Sequence, residues 1–244
     1  MTERSTEQAT EQAKEAGREG SSMDKCTWTL ARGQGTAPDQ FDHWALEELA
    51  SVLRAHLPKV LDARLTLQDR EAFGNALVPV DVDEVQVDAL LEVTTEGSYL
   101  PLDDWHEHLR AHCAHVQGWR VAPTVIYDRS RQPAVGETCD SPSIFVVLER
   151  LDGTTPEHFS TQWFRHAGHG SDDAGADNPE GLYRQNRVLE PITPTAWVTH
   201  GYTQLHFGFL IPDPGPVQYE RTRGEEPFDR WPARYVQGPE HRIA

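Results

Sequence analysis

Two hydrophobic periodicities alternate along this chain and divide it into elements. Residues 27–32 read as a strand, and Phe41, Ala45, Leu49, Val52 and Leu53 then recur at helical spacing from Pro38 until Pro58 ends the run. Ala63 to Asp69 alternates between apolar and polar positions. Val85 to Thr95 alternates more clearly, with Val85, Val87, Ala89, Leu91 and Val93 on one face, so both read as strands. A stripe of Leu102, Trp105, Leu109 and Val116 predicts a helix over 102–118, and Val121 to Tyr127 a closing strand. The order is β-α-β-β-α-β, the ferredoxin-like pattern of two helices on one face of a four-stranded antiparallel sheet.

The pattern then starts again. Ile144 to Leu148 is apolar without a turn former, as in a buried strand, and Thr155-Pro156 opens a helix on which Phe159, Trp163 and His166 share one stripe. Strands follow at 182–189 and 195–209. Prolines 212, 214, 216, 227, 232 and 239 leave room for only a short helix near 217–226 and a last strand at 233–237. Residues 30–41 align without gaps on 148–159, an offset of 118, and share Leu30/Leu148, Arg32/Arg150, Gly35/Gly153, Thr36/Thr154, Pro38/Pro156 and Phe41/Phe159. A tryptophan follows each phenylalanine, at Trp44 and Trp163. Self-similarity at one fixed offset predicts an internal duplication. The expected division is a tail over 1–24, a first ferredoxin-like lobe over 25–130, a linker over 131–142 and a second lobe over 143–244. Two such lobes can bury their bare sheet faces against each other, sheet to sheet, as an intrachain α+β barrel with a pocket between them.

Charge narrows the partners. With 39 acidic against 22 basic residues the net charge is −17, which repels phosphate backbones and anionic lipid, so neither nucleic acid nor a membrane is an expected partner. Residues 1–24 are poor in large apolar side chains, and neither a secretory leader nor an 18-residue apolar run is evident, which predicts a cytoplasmic protein. Three widely spaced cysteines suit neither a disulfide framework nor a zinc ribbon. Nucleotide and serine-hydrolase motifs are missing, so no cofactor is expected.

Along 195–209, His200, Tyr202, Gln204 and His206 share one parity, a polar row with two imidazoles that faces either solvent or the barrel interior. His108, His112 and His115 stand at helical spacing, but Trp105 and Leu109 occupy the apolar side. They read as a wet helix face, and no metal is expected.

The run Pro156, Glu157, Phe159, Trp163, His166, followed by Tyr183, Gln185, Asn186 and Val188, resembles the EthD family of the dimeric α+β-barrel superfamily. His166 follows Trp163 by three residues where the family has four, and Glu48 stands at the matching place after Trp44. The resemblance implies a small hydrophobic or aromatic ligand. It points to an enzyme of the lyase, dehydratase or cyclase type working by histidine acid/base chemistry on a polyketide-like molecule. A cofactor-independent monooxygenase or a non-catalytic binder are the alternatives. An imidazole titrates near neutral pH, and tyrosine and asparagine can hold an oxyanion. The candidate catalytic residues are therefore His166, His200, His206 and Tyr202, with Asn186, Trp163, Arg150 and Gln204 binding substrate. Oligomeric state stays open, since an internal pseudo-dimer can also pair with a second copy.

Overall fold

The computed structural model describes residues 23–57, 59–69, 87–97, 103–139, 142–150, 153–164, 181–194, 199–206 and 233–244. Strand β1 (Met23–Arg32) leads into helix α1, which runs through Pro38–His43, a wide π-helical turn at Trp44–Glu48, and Leu49–His56. Strands β2 (Val60–Leu67) and β3 (Ala89–Glu96), helix α2 (Asp103–His112) and strand β4 (Cys113–Asp128) complete the first half. The second half carries β5 (Ser143–Leu148), helix α3 over 156–164, β6 (Leu182–Pro191), β7 (Gly201–His206), β8 (Ala233–Gly238) and β9 (Glu240–Arg242).

The strand order is β8-β5-β7-β6-β4-β1-β3-β2-β9, with every pairing antiparallel. Two separate sheets packed face to face were expected. Instead the halves join edge to edge in one continuous sheet, because β4 is long enough to pair with β1 through its first half and with β6 through its second. At the other seam the chain of β8 turns through Pro239 into β9. Asp69 N–H donates to Gln237 O (2.7 Å) and Leu67 N–H to Pro239 O (3.3 Å), and the sheet becomes a nearly closed barrel. Closure removes the exposed edges that an open sheet would leave.

That seam leaves no room for a side chain at Gly238. A Cβ there would lie 1.9 Å from Leu67 O and 2.9 Å from Asp69 N, both backbone atoms that cannot rotate away. Gly238→Ala is expected to cost about 3 kcal/mol, the upper end of the usual overpacking range. The shift in urea midpoint at constant slope measures it, and an unchanged midpoint would show that the seam is loose.

Side chains alternate between a helix layer and the barrel interior. Cys26, Trp28 and Leu30 of β1 pack with Phe41, Trp44, Leu49, Leu53, Trp105 and Leu109 of the first-half helices. Leu148, Phe159 and Trp163 form the matching, smaller layer under α3. Inside the barrel, Leu90, Trp119, Val121, Phe145, Val147, Tyr202 and Val236 make a core contributed by both halves.

The helix expected over 102–118 ends at His112. From Cys113 the chain pairs with β1 (Arg32↔Cys113, Leu30↔Val116), because the edge of β1 offers backbone partners to this segment, with an irregularity between Ala31 and Arg32. His115 therefore lies on a strand, and the helical spacing of His108, His112 and His115 is not realised. The segment expected as a linker is tied down: Gly136 N–H donates to Arg242 O and Cys139 N–H to Glu240 O, both at 2.7 Å. Among the described residues no helix is long and apolar enough to cross a membrane.

In the first helix layer, Trp28 Nε1–H donates to Nε2 of His106 at 3.1 Å, which fixes a neutral ring carrying its proton on Nδ1. His106 is 3% exposed. Burial, with Arg110 nearby, pushes its pKa down to about 4. The unfolded value is near 6.5, so the unfolded chain binds the proton more readily; His106 costs nothing above about pH 6.5 and loses on the order of 3 kcal/mol of stability as pH falls to about 4. Denaturation of His106→Gln between pH 7 and 4 is expected to show a shallower loss than the parent.

Candidate functional site

Three residues of the polar row on β7 turn into the barrel. Tyr202 and Gln204 are fully buried and His206 is 1% exposed, so the face open to two interpretations in the sequence is the inner one. His200 does not join them. It precedes the strand, accepts the Arg150 backbone N–H on Nδ1 (3.0 Å), and packs against the Phe159 ring in the α3 layer. Burial and the Arg150 charge both lower its pKa. Arg150 bonds Thr154 O at the loop before α3. Trp163 donates Nε1–H to Thr203 Oγ1 (3.0 Å) and covers Gly201, where a Cβ would meet the indole at 2.4 Å. Asn186 faces the interior, and His166 lies outside the described residues.

Two buried networks occupy the interior. The first joins the halves near Tyr202, whose hydroxyl donates to Glu92 Oε1 (2.5 Å) and accepts from Thr27 Oγ1–H (2.7 Å). The same carboxylate oxygen is ion-paired with Lys25, whose ammonium also donates to Asn186 Oδ1 (3.0 Å). Burial pushes the Lys25 pKa down and Glu92 partly restores it. Burial and the Glu92 charge push the Tyr202 phenol well up, so it stays protonated and a donor. Among the described residues, the buried atoms Asn186 Nδ2 and Glu92 Oε2 have no hydrogen-bond partner.

The second network centres on Glu240, which is fully buried. Its Oε2 accepts from Ser143 Oγ–H and Gln204 Nε2–H, each at 2.8 Å, and its Oε1 from Arg64 Nη1–H at 3.0 Å. Burial opposes this charge, yet His206, 3.6 Å away, and the Arg64 charge hold the carboxyl below the usual carboxylate range. Ser143 Oγ lies 2.6 Å from His206 Nε2. The serine proton goes to Glu240, so the imidazole N–H donates to the serine. That direction is the reverse of what a nucleophilic serine needs, and this trio is not a hydrolase triad.

Lys25, Thr27, Glu92, Ser143, Arg64 and Glu240 were missed as candidates. Glu92 did carry a signal, as a lone acid inside the alternating run of β3. Glu240 carried none, since it follows the proline-rich stretch where strand patterning is lost. Among the described residues, no group of three or more His, Cys, Asp or Glu could hold a metal ion.

Fold and geometry together define an α+β protein with a nearly closed barrel and a charged interior. The chain matches no protein-family model and no curated protein. Among solved structures it is similar to a crystal structure of an anthrone oxidase-like protein, with a TM-score of 0.50 at 7% identity over 93% of this chain and 95% of that one. The likeness is one of fold.

Proposed function

We infer that the protein is a tandem member of the dimeric α+β-barrel class, akin to EthD proteins, and that it transfers protons on a small aromatic or polyketide-like molecule without a cofactor. One observation carries the chemistry: Tyr202, Asn186 and Glu92, from opposite halves, meet as a buried acid, amide and carboxylate beside the aromatic wall of Phe145 and Trp119. A protonated phenol against a carboxylate can pass a proton to or from a bound enol while the Lys25 ammonium offsets the charge. His206 and Gln204, joined to Glu240, hold the neighbouring strand face and are assigned a supporting role.

Duplication is supported by matching strand orders, β4-β1-β3-β2 in one half and β8-β5-β7-β6 in the other. Gly35 and Gly153, at the repeat offset, both adopt positive φ, +91° and +78°. Phe41 and Phe159 are both buried under their helices.

A second reading is cofactor-independent oxidation, favoured by the description of the similar structure as anthrone oxidase-like. Turnover of hydroxyaryl ketones, assayed with and without oxygen, separates the two. Product formed at the same rate under argon supports proton transfer. Product that requires oxygen supports oxidation, and saturable binding with no product in either atmosphere leaves a binding protein.

A further inference from the structure

We propose that the unbonded polar atoms of Asn186 and Glu92 form the ligand-anchoring subsite, and that they select a ring bearing both a carbonyl and a hydroxyl group. This rests on the reading of a small aromatic ligand and specifies the functional groups that ligand must carry. Asn186 is fully buried and Glu92 is 3% exposed, yet among the described residues neither Nδ2 of the one nor Oε2 of the other has a hydrogen-bond partner. Leaving a buried amide donor and a buried carboxylate oxygen unbonded is costly, so such a pair marks a place where something else bonds. The orphan amide nitrogen and the orphan carboxylate oxygen belong to groups whose remaining oxygen is held by the Lys25 ammonium, so one cation ties the donor-bearing and the acceptor-bearing group together. The two atoms are complementary rather than alike. The amide N–H requires an acceptor, supplied by a carbonyl, and the carboxylate oxygen requires a donor, supplied by a hydroxyl.

The surroundings decide what carries those groups. Tyr202 stands against Phe145, with ring centroids 5.9 Å apart, and Trp119, Val121 and Val147 complete an apolar wall. An apolar wall with two placed polar atoms suits a flat ring better than a sugar or an amino acid, which would bury more polar groups than the site satisfies.

The test uses the full chain and three probes: 3-hydroxyacetophenone, acetophenone and phenol. Calorimetry is expected to show the first binding at least tenfold more tightly than either of the others, since each of those leaves one buried protein atom unpaired. In the Asn186→Leu variant the preference for 3-hydroxyacetophenone over phenol should vanish, and in Glu92→Gln the preference over acetophenone should shrink. Because either variant can fail to fold, the comparison of probes on the unmodified protein decides. Equal affinity for all three, or a crystal structure with an ordered water bridging Asn186 and Glu92 while the probe sits elsewhere, overturns the subsite. Oxygen-independent turnover alongside that result would leave the proton-transfer reading standing and remove only this anchoring pair.

Discussion

Glu240→Ala is expected to lower folding stability by about 3–5 kcal/mol, the usual cost of breaking a buried ion pair from one side. The reason is the number of groups that share this carboxylate. Arg64, Ser143 and Gln204 all donate to it, and His206 lies 3.6 Å away, in a region where Glu240 is fully buried and His206 is 1% exposed. Removing the acid leaves one guanidinium N–H of Arg64 and the buried Ser143 and Gln204 donors without their acceptor. The same network seals the second seam, since Glu240 sits on β9 and Arg64 on β2. Urea denaturation at pH 7 measures the loss, and a cost below about 1 kcal/mol would show that the interior is hydrated.

The acid dependence gives an independent check. Because the folded carboxyl is held below its unfolded value, it binds its proton more weakly than the unfolded chain does. Its contribution is complete above the unfolded value near pH 4.3 and is lost as pH falls through the lower folded one. In Glu240→Gln that part of the acid limb should be absent, while the loss at higher pH from His106 remains.

Much of the fold was legible because it depends on local patterning. The strand and helix of each half start from the same Leu-x-Arg-x-x-Gly-Thr-x-Pro-x-x-Phe run, and the structure places a strand, a left-handed glycine and a buried phenylalanine at both copies. The seams were not legible. Whether Cys113 to Gly118 continues a helix or begins a strand is decided by an available edge on β1, which no local periodicity encodes. The site was legible by halves for a similar reason. Alternation along β7 put Tyr202, Gln204 and His206 on one face, but the strand begins at Gly201, and His200, one residue earlier, turns instead toward α3. Lys25 and Glu92 gain meaning only from their meeting with Tyr202, at sequence separations that pattern reading does not span.

Tyr202→Phe is expected to slow the chemical step by a factor of about 10²–10⁴, the range for losing a general acid or base. The substitution keeps the ring against Phe145 and removes only the hydroxyl, which lies 2.5 Å from Glu92 and 2.7 Å from Thr27. Binding should change much less, because the anchoring atoms assigned to the ligand belong to Asn186 and Glu92. The loss should therefore appear in kcat with KM nearly constant, the signature of an interaction made chiefly in the transition state. Since burial and Glu92 raise the phenol pKa well above 10, Tyr202 contributes no basic limb to the rate profile of the parent below that pH, and the variant should show none either. Circular dichroism and a urea midpoint on the same preparation separate chemistry from folding, because the Thr27 hydroxyl left without its partner also costs about 1–3 kcal/mol of stability. A folded Tyr202→Phe protein with an unchanged single-turnover rate would reduce Tyr202 to a strut between the two halves and move the proton donor elsewhere in the barrel.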